Sequence, residues 1–190
     1  SKKINTKKYH VIKRGKRLLI GYVGAVNARL DYKLLYSIAK RNPQWDFAIW
    51  GPVVEKFNFT SVQKLHFSNL KKLRNVIVGE SNKKELPLII KQFNVGIIPY
   101  DLGSEFNKYC FPMKLFEYFY SGIPVVSSDI IELRNFSDIV MIAYDVIDWE
   151  RKIKLLLFEE WSKEKKHKQN ILALENSWEK KIQEILRVIK

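Results

Sequence analysis

The chain has 190 residues, 46% of them apolar, which suits one domain with a full core and excludes a disordered segment. A formal net charge of +14 favours anionic partners such as nucleic acid, acidic lipid or a phosphorylated small molecule. A lone cysteine, Cys110, excludes an internal disulfide and fits a reducing, cytoplasmic setting, and no apolar run reaches the roughly 18 residues of a spanning helix.

Residues 1–17, SKKINTKKYHVIKRGKR, form a basic arm or interdomain linker with no apolar stretch of the secretory kind. Ser1 in place of Met suggests a piece of something larger. Residues 18–190 form the folded unit. LLIGYVG (18–24) is a first strand ending in glycine, and DYKLLYSIAKRN (31–42) has helical spacing with Asp31 as N-cap. WDFAIWG (45–51) is a second strand, 61–72 a short helix, and NVIVG (75–79) a third strand. KKELPLIIKQF (83–93) is helical, with a start or bend near Pro87; NVGIIPY (94–100) is a fourth strand, and DLGSEFNKY (101–109) a polar loop. PMKLFEYFYSG is a helix, and IPVVSSD (123–129) and DIVMIAY (138–144) are strands. Helices near 147–160 and 175–189 close the chain, with a charged segment between them. The strands are continuous apolar runs alternating with helices. This predicts an α/β fold: a Rossmann-like, doubly wound parallel sheet of about six strands, helices on both faces, and a ligand cleft at the strands' carboxyl ends.

The segment 110–128, CFPMKLFEYFYSGIPVVSS, concentrates chemistry. Pro112 suits the first turn of a helix, and the amides of Met113 and Lys114 would face outward as an anion site. Lys114 adds a full charge, and Glu117, three residues on, shares its face. Phosphate at the cationic tip and a vicinal diol at the carboxylate would use both charges, a pairing that describes a nucleotide. A plain surface Lys–Glu pair is the alternative, set against the crowding by Phe111, Leu115, Phe116, Tyr118 and Phe119.

The stretch PMKLFEYFYSGIPVV resembles the P-x-K-x-x-E-Y-x-x-x-G-x-P-V-V segment of retaining, family-4-like GT-B glycosyltransferases. IGYVGAVNARLD, WDFAIWGP, NVIVGESNKKELPLIIKQFNVGIIPY and SWEKKIQEIL resemble further segments of that group, in the same order. The resemblance covers 18–190 and implies the C-terminal, nucleotide-sugar-binding half of such an enzyme. It implies that the N-terminal, acceptor-binding half lies in a part of the protein outside this sequence, so that this chain alone is incomplete and inactive.

From the resemblance, Glu117 matches the glutamate that binds the ribose hydroxyls. Its usual partner, eight positions earlier, is here Tyr109, which leaves Tyr109 or the backbone near Phe111 and Pro112 to meet the donor sugar. Arg29 stands for a phosphate-binding arginine after the first strand, in a degraded motif. Lys114 and Arg29 are the candidates for stabilising the leaving phosphate, and Gly24 and Met113 for close approach of the nucleotide. The implied reaction is retaining transfer of a sugar from a nucleoside diphosphate sugar to a hydroxyl, in cell-surface polysaccharide or glycolipid synthesis. No cofactor or metal is implied, and His10, His66 and His167 show no metal-ligand spacing. The charge fits a cytoplasmic protein at the anionic inner face of the membrane. Signatures of specific nucleic-acid binding are absent, though a non-enzymatic α/β domain that binds nucleic acid or another polyanion stays open as a second reading.

Overall fold

The structure, a computed structural model, describes Gly15 and residues 17–54, 59–80, 83–159 and 161–188. Most of the basic arm expected at 1–17 therefore lies outside the described residues. Six strands form one parallel sheet: β1 Leu19–Val23, β2 Asp46–Trp50, β3 Val76–Gly79, β4 Val95–Ile98, β5 Val125–Ser128 and β6 Val140–Ala143. Their order is β3-β2-β1-β4-β5-β6. Strand order reverses between β1 and β4, the topological switch point where such sheets bind ligands.

Eight α-helices are described: α1 Tyr32–Arg41, α2 Ser61–Lys71, α3 Leu86–Ile90, α4 Glu105–Lys108, α5 Lys114–Tyr120, α6 Val146–Phe158, α7 Lys163–Glu175 and α8 Trp178–Val188. One layer joins α1 to α2 and α6, and the other joins α5 to α3 and α7. Asp31 caps α1 as expected, its carboxylate accepting the Leu34 amide at 2.8 Å. Burial of Leu34, Leu35, Ile38 and Ala39 turns the predicted stripe into the core face of that helix.

Three local expectations are corrected. The polar loop 101–109 contains the short helix α4, because Asn107 is buried and tied down by hydrogen bonds. The helix expected from Pro112 begins at Lys114, since the amides of Leu115 and Phe116 turn back to the carbonyls of Pro112 and Met113. The charged segment after α6 folds as α7. Its anchor is polar: the fully buried Gln169 donates to the Ile139 carbonyl and accepts from the Trp161 indole, both at 3.1 Å. A polar anchor leaves no apolar stripe to read.

Two strand glycines set the closeness of the helical layer. A Cβ on Gly21 would sit 2.2 Å from the Phe93 ring, and one on Gly96 3.0 Å from the Tyr118 ring. Glycine at these positions lets both rings lie directly on the sheet.

Candidate functional site

The site is built on the split between β1 and β4. The two strands pair through Ile20↔Val95 and Gly21↔Gly96. The buried Tyr118 of α5 then reaches the edge of that pairing. Its hydroxyl accepts the Val23 amide at 3.0 Å and lies 3.3 Å from the carbonyls of Gly21 and Ile97. Burial pushes its pKa far up, so it stays neutral and can donate to a carbonyl. Lys114 lies one helical turn earlier on the same helix, on the side of the strands' carboxyl ends.

Lys114 does not extend into solvent. Its Nζ is hydrogen-bonded to the Tyr100 hydroxyl and lies 3.4 Å from that of Tyr22. It also lies 4.7 Å from the centroid of each of those rings. Burial is the main reason its pKa falls to about 7; the Arg29 guanidinium lowers it further, and Glu117 and Cys110 oppose the fall. Tyr22 and Tyr100 are themselves pushed upward by burial, so both remain phenols near neutrality.

Arg29 enters from the loop between β1 and α1. Its Nε donates to Asn107 Oδ1 at 2.9 Å, and a terminal nitrogen reaches Cys110 Sγ at 3.0 Å. Its guanidinium lies 4.4 Å from the Tyr100 centroid and 4.8 Å from that of Phe106. Among the described residues neither Arg29 nor Lys114 forms a salt bridge with a carboxylate. The two cations flank one tyrosine ring, and an anion of two phosphates is the chemistry that would use both.

The glycine turns after β1 and β2 define the floor beside Lys114. Gly24 has φ +129°, and a Cβ there would lie 3.2 Å from Lys114 Nζ. Gly51 has φ +148°, and its Cβ would lie 2.1 Å from the Gly24 carbonyl oxygen. The two turns are thus in contact; a side chain at Gly51 would clash with backbone, and one at Gly24 would be strained by its φ and would crowd the end of Lys114.

Glu117 sits one turn beyond Lys114 on α5 and is exposed. It lines a groove of about 490 Å³ together with Leu86, Pro87, Met113, Phe116 and Tyr120. So, contrary to the shared face expected from their spacing, the helix presents its lysine to the glycine turns and its glutamate to the groove bounded by α3, α7 and α8. Met113 and Tyr109 are exposed, Pro112 is buried, and Phe111 stacks on Phe116 at 5.3 Å between centroids.

Sequence reasoning missed Tyr22, Tyr100 and Asn107 as site residues. Tyr22 and Tyr100 stand in strand segments whose apolar character hides their hydroxyls, and Asn107 meets Arg29 across 78 residues of chain. Cys110 is half-buried against the Arg29 guanidinium. Among the described residues no group of His, Cys, Asp and Glu side chains is arranged to hold a metal ion, and no helix is long and apolar enough to cross a membrane.

A parallel sheet in this order, with its switch point between β1 and β4, defines a Rossmann-like domain, and the solved structures it superposes on share that fold as one half of GT-B glycosyltransferases. Comparison with known proteins gives the same class. No family model matches the chain. A Bacillus subtilis (strain 168) protein named for glycosyl transfer in teichuronic acid biosynthesis, TuaH, is 32% identical over 114 residues, covering 60% of this chain and 27% of its own. Sucrose-phosphate synthase from Thermosynechococcus elongatus superposes with a TM-score of 0.75 at 15% identity, over 98% of this chain and 49% of that one. The pneumococcal O-GlcNAc transferase GtfA, solved with UDP and GlcNAc, gives 0.58 at 18% identity, over 90% of this chain and 36% of that one. The chain therefore spans half or less of each of these proteins.

Proposed function

We propose that this chain is the donor-binding, C-terminal half of a glycosyltransferase that takes a sugar from a nucleoside diphosphate sugar and transfers it, with retention, to a hydroxyl acceptor in cell-surface polysaccharide or glycolipid synthesis. The observation that carries the reading is the pair Lys114 and Arg29, two cations that form no salt bridge with a carboxylate among the described residues, beside the Gly24 turn. The similarity to TuaH, and the UDP bound to the transferase GtfA, support the substrate class.

In this reading the diphosphate lies over Gly24, where the absent side chain lets it approach Lys114. Negative charge grows on the leaving phosphate as the glycosidic bond breaks. Lys114 and Arg29 meet that charge, and their preorganised setting makes the stabilisation effective. Glu117 takes the ribose hydroxyls and holds the diphosphate in register. Fixed cations perform the electrostatic task, so the reading calls for no metal or cofactor. Tyr109, Phe111 and Pro112 border the donor sugar. The acceptor site and any general base belong to a second domain that closes over this one. Positive charge holds the protein at an anionic, cytoplasmic membrane face.

The test is calorimetric titration of the chain with UDP, GDP and ADP, and of Glu117→Ala with whichever nucleotide binds. Saturable binding of one nucleotide, weakened about tenfold or more in the variant, is expected. Equal binding of all polyanions, falling steeply with salt and indifferent to Glu117, would replace this reading with the charge-driven one.

A further inference from the structure

Tyr100 lies just beyond β4, and its ring is 4% exposed. Its backbone cannot drift. A bridge pairs Leu30 with Tyr100, the Asp31 amide donates to the Pro99 carbonyl, and the Asp101 amide to the Arg29 carbonyl, each of the latter two near 2.9 Å. Residues 99–101 and 29–31 are therefore stitched together around the ring. The Arg29 guanidinium lies 4.4 Å from the ring centroid, and the Lys114 amine lies at the hydroxyl end of the ring, 4.7 Å from the centroid. The hydroxyl binds the same amine. The two like charges repel each other, and one neutral side chain attracts both, its aromatic face the guanidinium and its phenol oxygen the ammonium.

We propose that Tyr100 is the positioning residue of the diphosphate clamp: its ring seats the Arg29 guanidinium, and its hydroxyl holds the Lys114 amine and aims it at the space above Gly24. The proposal rests on the nucleotide-binding reading above. It separates two jobs. The ring seats Arg29, while the hydroxyl holds the lysine and stabilises its charged form. The groups facing Lys114 are Tyr22 from β1, Arg29 from the loop after it, Tyr100 after β4, Cys110 before α5, and Glu117 on its own helix.

The test titrates UDP and inorganic pyrophosphate into the 190-residue chain and its Tyr100→Phe and Tyr100→Leu variants between pH 6 and 9. A Lys114→Met variant supplies the pH dependence of the ligands themselves. Tyr100→Leu should weaken both ligands about tenfold or more, and Tyr100→Phe, which keeps the ring, about threefold. The affinity of the wild type should fall as pH rises past about 7. In Tyr100→Phe that fall should begin at lower pH, because the ammonium loses an acceptor and keeps its burial. This shift reads the lysine and not the fold, so it decides the matter even if Tyr100→Leu unfolds. An unshifted profile in Tyr100→Phe overturns the assignment, and so does a loss confined to UDP with pyrophosphate unaffected; either leaves the nucleotide reading standing. A wild type that binds neither ligand sinks both.

Discussion

Gly24 and Lys114 are matched across the sheet's carboxyl edge: a Cβ built on the glycine would stand 3.0 Å from Lys114 Cε and 3.2 Å from its Nζ. The glycine also holds φ +129°, a conformation that side chains disfavour. Gly24→Ala should therefore lower stability by about 1–2 kcal/mol and weaken UDP binding about tenfold. Urea unfolding and calorimetry on the same preparation check both parts. Wild-type affinity in the variant would show that no ligand lies over this turn.

Asn107 is buried, accepts from Arg29 Nε, and donates to the carbonyl oxygens of Arg29 and Asp101 at 3.2 and 2.7 Å. Asn107→Ala leaves those acceptors inside the protein without their donor. A loss of about 2 kcal/mol in urea unfolding is expected, with weaker UDP binding because Arg29 is no longer oriented. Stability lost with affinity intact would remove Arg29 from the binding site.

Far from the cleft, Arg17 Nε meets Asp46 Oδ1 at 2.8 Å, and Asp46 is 2% exposed with Oδ2 otherwise unbonded. Removing only the arginine, as in Arg17→Met, strands a carboxylate in the interior and should cost about 2 kcal/mol. Adding Asp46→Asn to that variant should recover part of the loss, since the stranded charge is gone. A double-mutant cycle in urea measures the coupling, and an additive cycle would contradict the claim.

The titration of Lys114 makes stability depend on pH in a definite direction. The unfolded lysine keeps its proton to about pH 10.4. The folded one releases it near 7. Below 7 both states are protonated, and the burden of burying the ammonium is fully present. Between about 7 and 10.4 the unfolded state binds more protons, so stability from this group rises with pH. Lys114→Met should stabilise the chain by about 2 kcal/mol more at pH 6 than at pH 10, a reduced figure for a residue that keeps some contact with water. Thermal melts of both proteins at the two pH values test it. An equal gain at both would mean that Lys114 titrates normally.

Much of the layout was legible along the chain. Apolar runs such as LIGYV at 19–23 and VGII at 95–98, separated by amphipathic stretches, imply buried parallel strands with covering helices. Asp31 as an N-cap and the helix over Lys114 and Glu117 follow from local spacing. Helix α7 did not announce itself, because its hold on the core is the amide of Gln169 and the small side chain of Ala173 in a lysine-rich run.

Sequence by itself determined the class of fold and the identity of the charged residues on α5, since each depends on patterns local to an element. Only the tertiary structure decided which strands adjoin, that Lys114 turns inward to Tyr22 and Tyr100 while Glu117 faces the α3 groove, and that Arg29 rests on the same tyrosine. The reason is the parallel crossover. Each return to the sheet takes a helix and two loops, so Lys114 lies 92 residues from its Tyr22 partner, and Arg29 lies 78 from Asn107. No local pattern encodes a contact across that span.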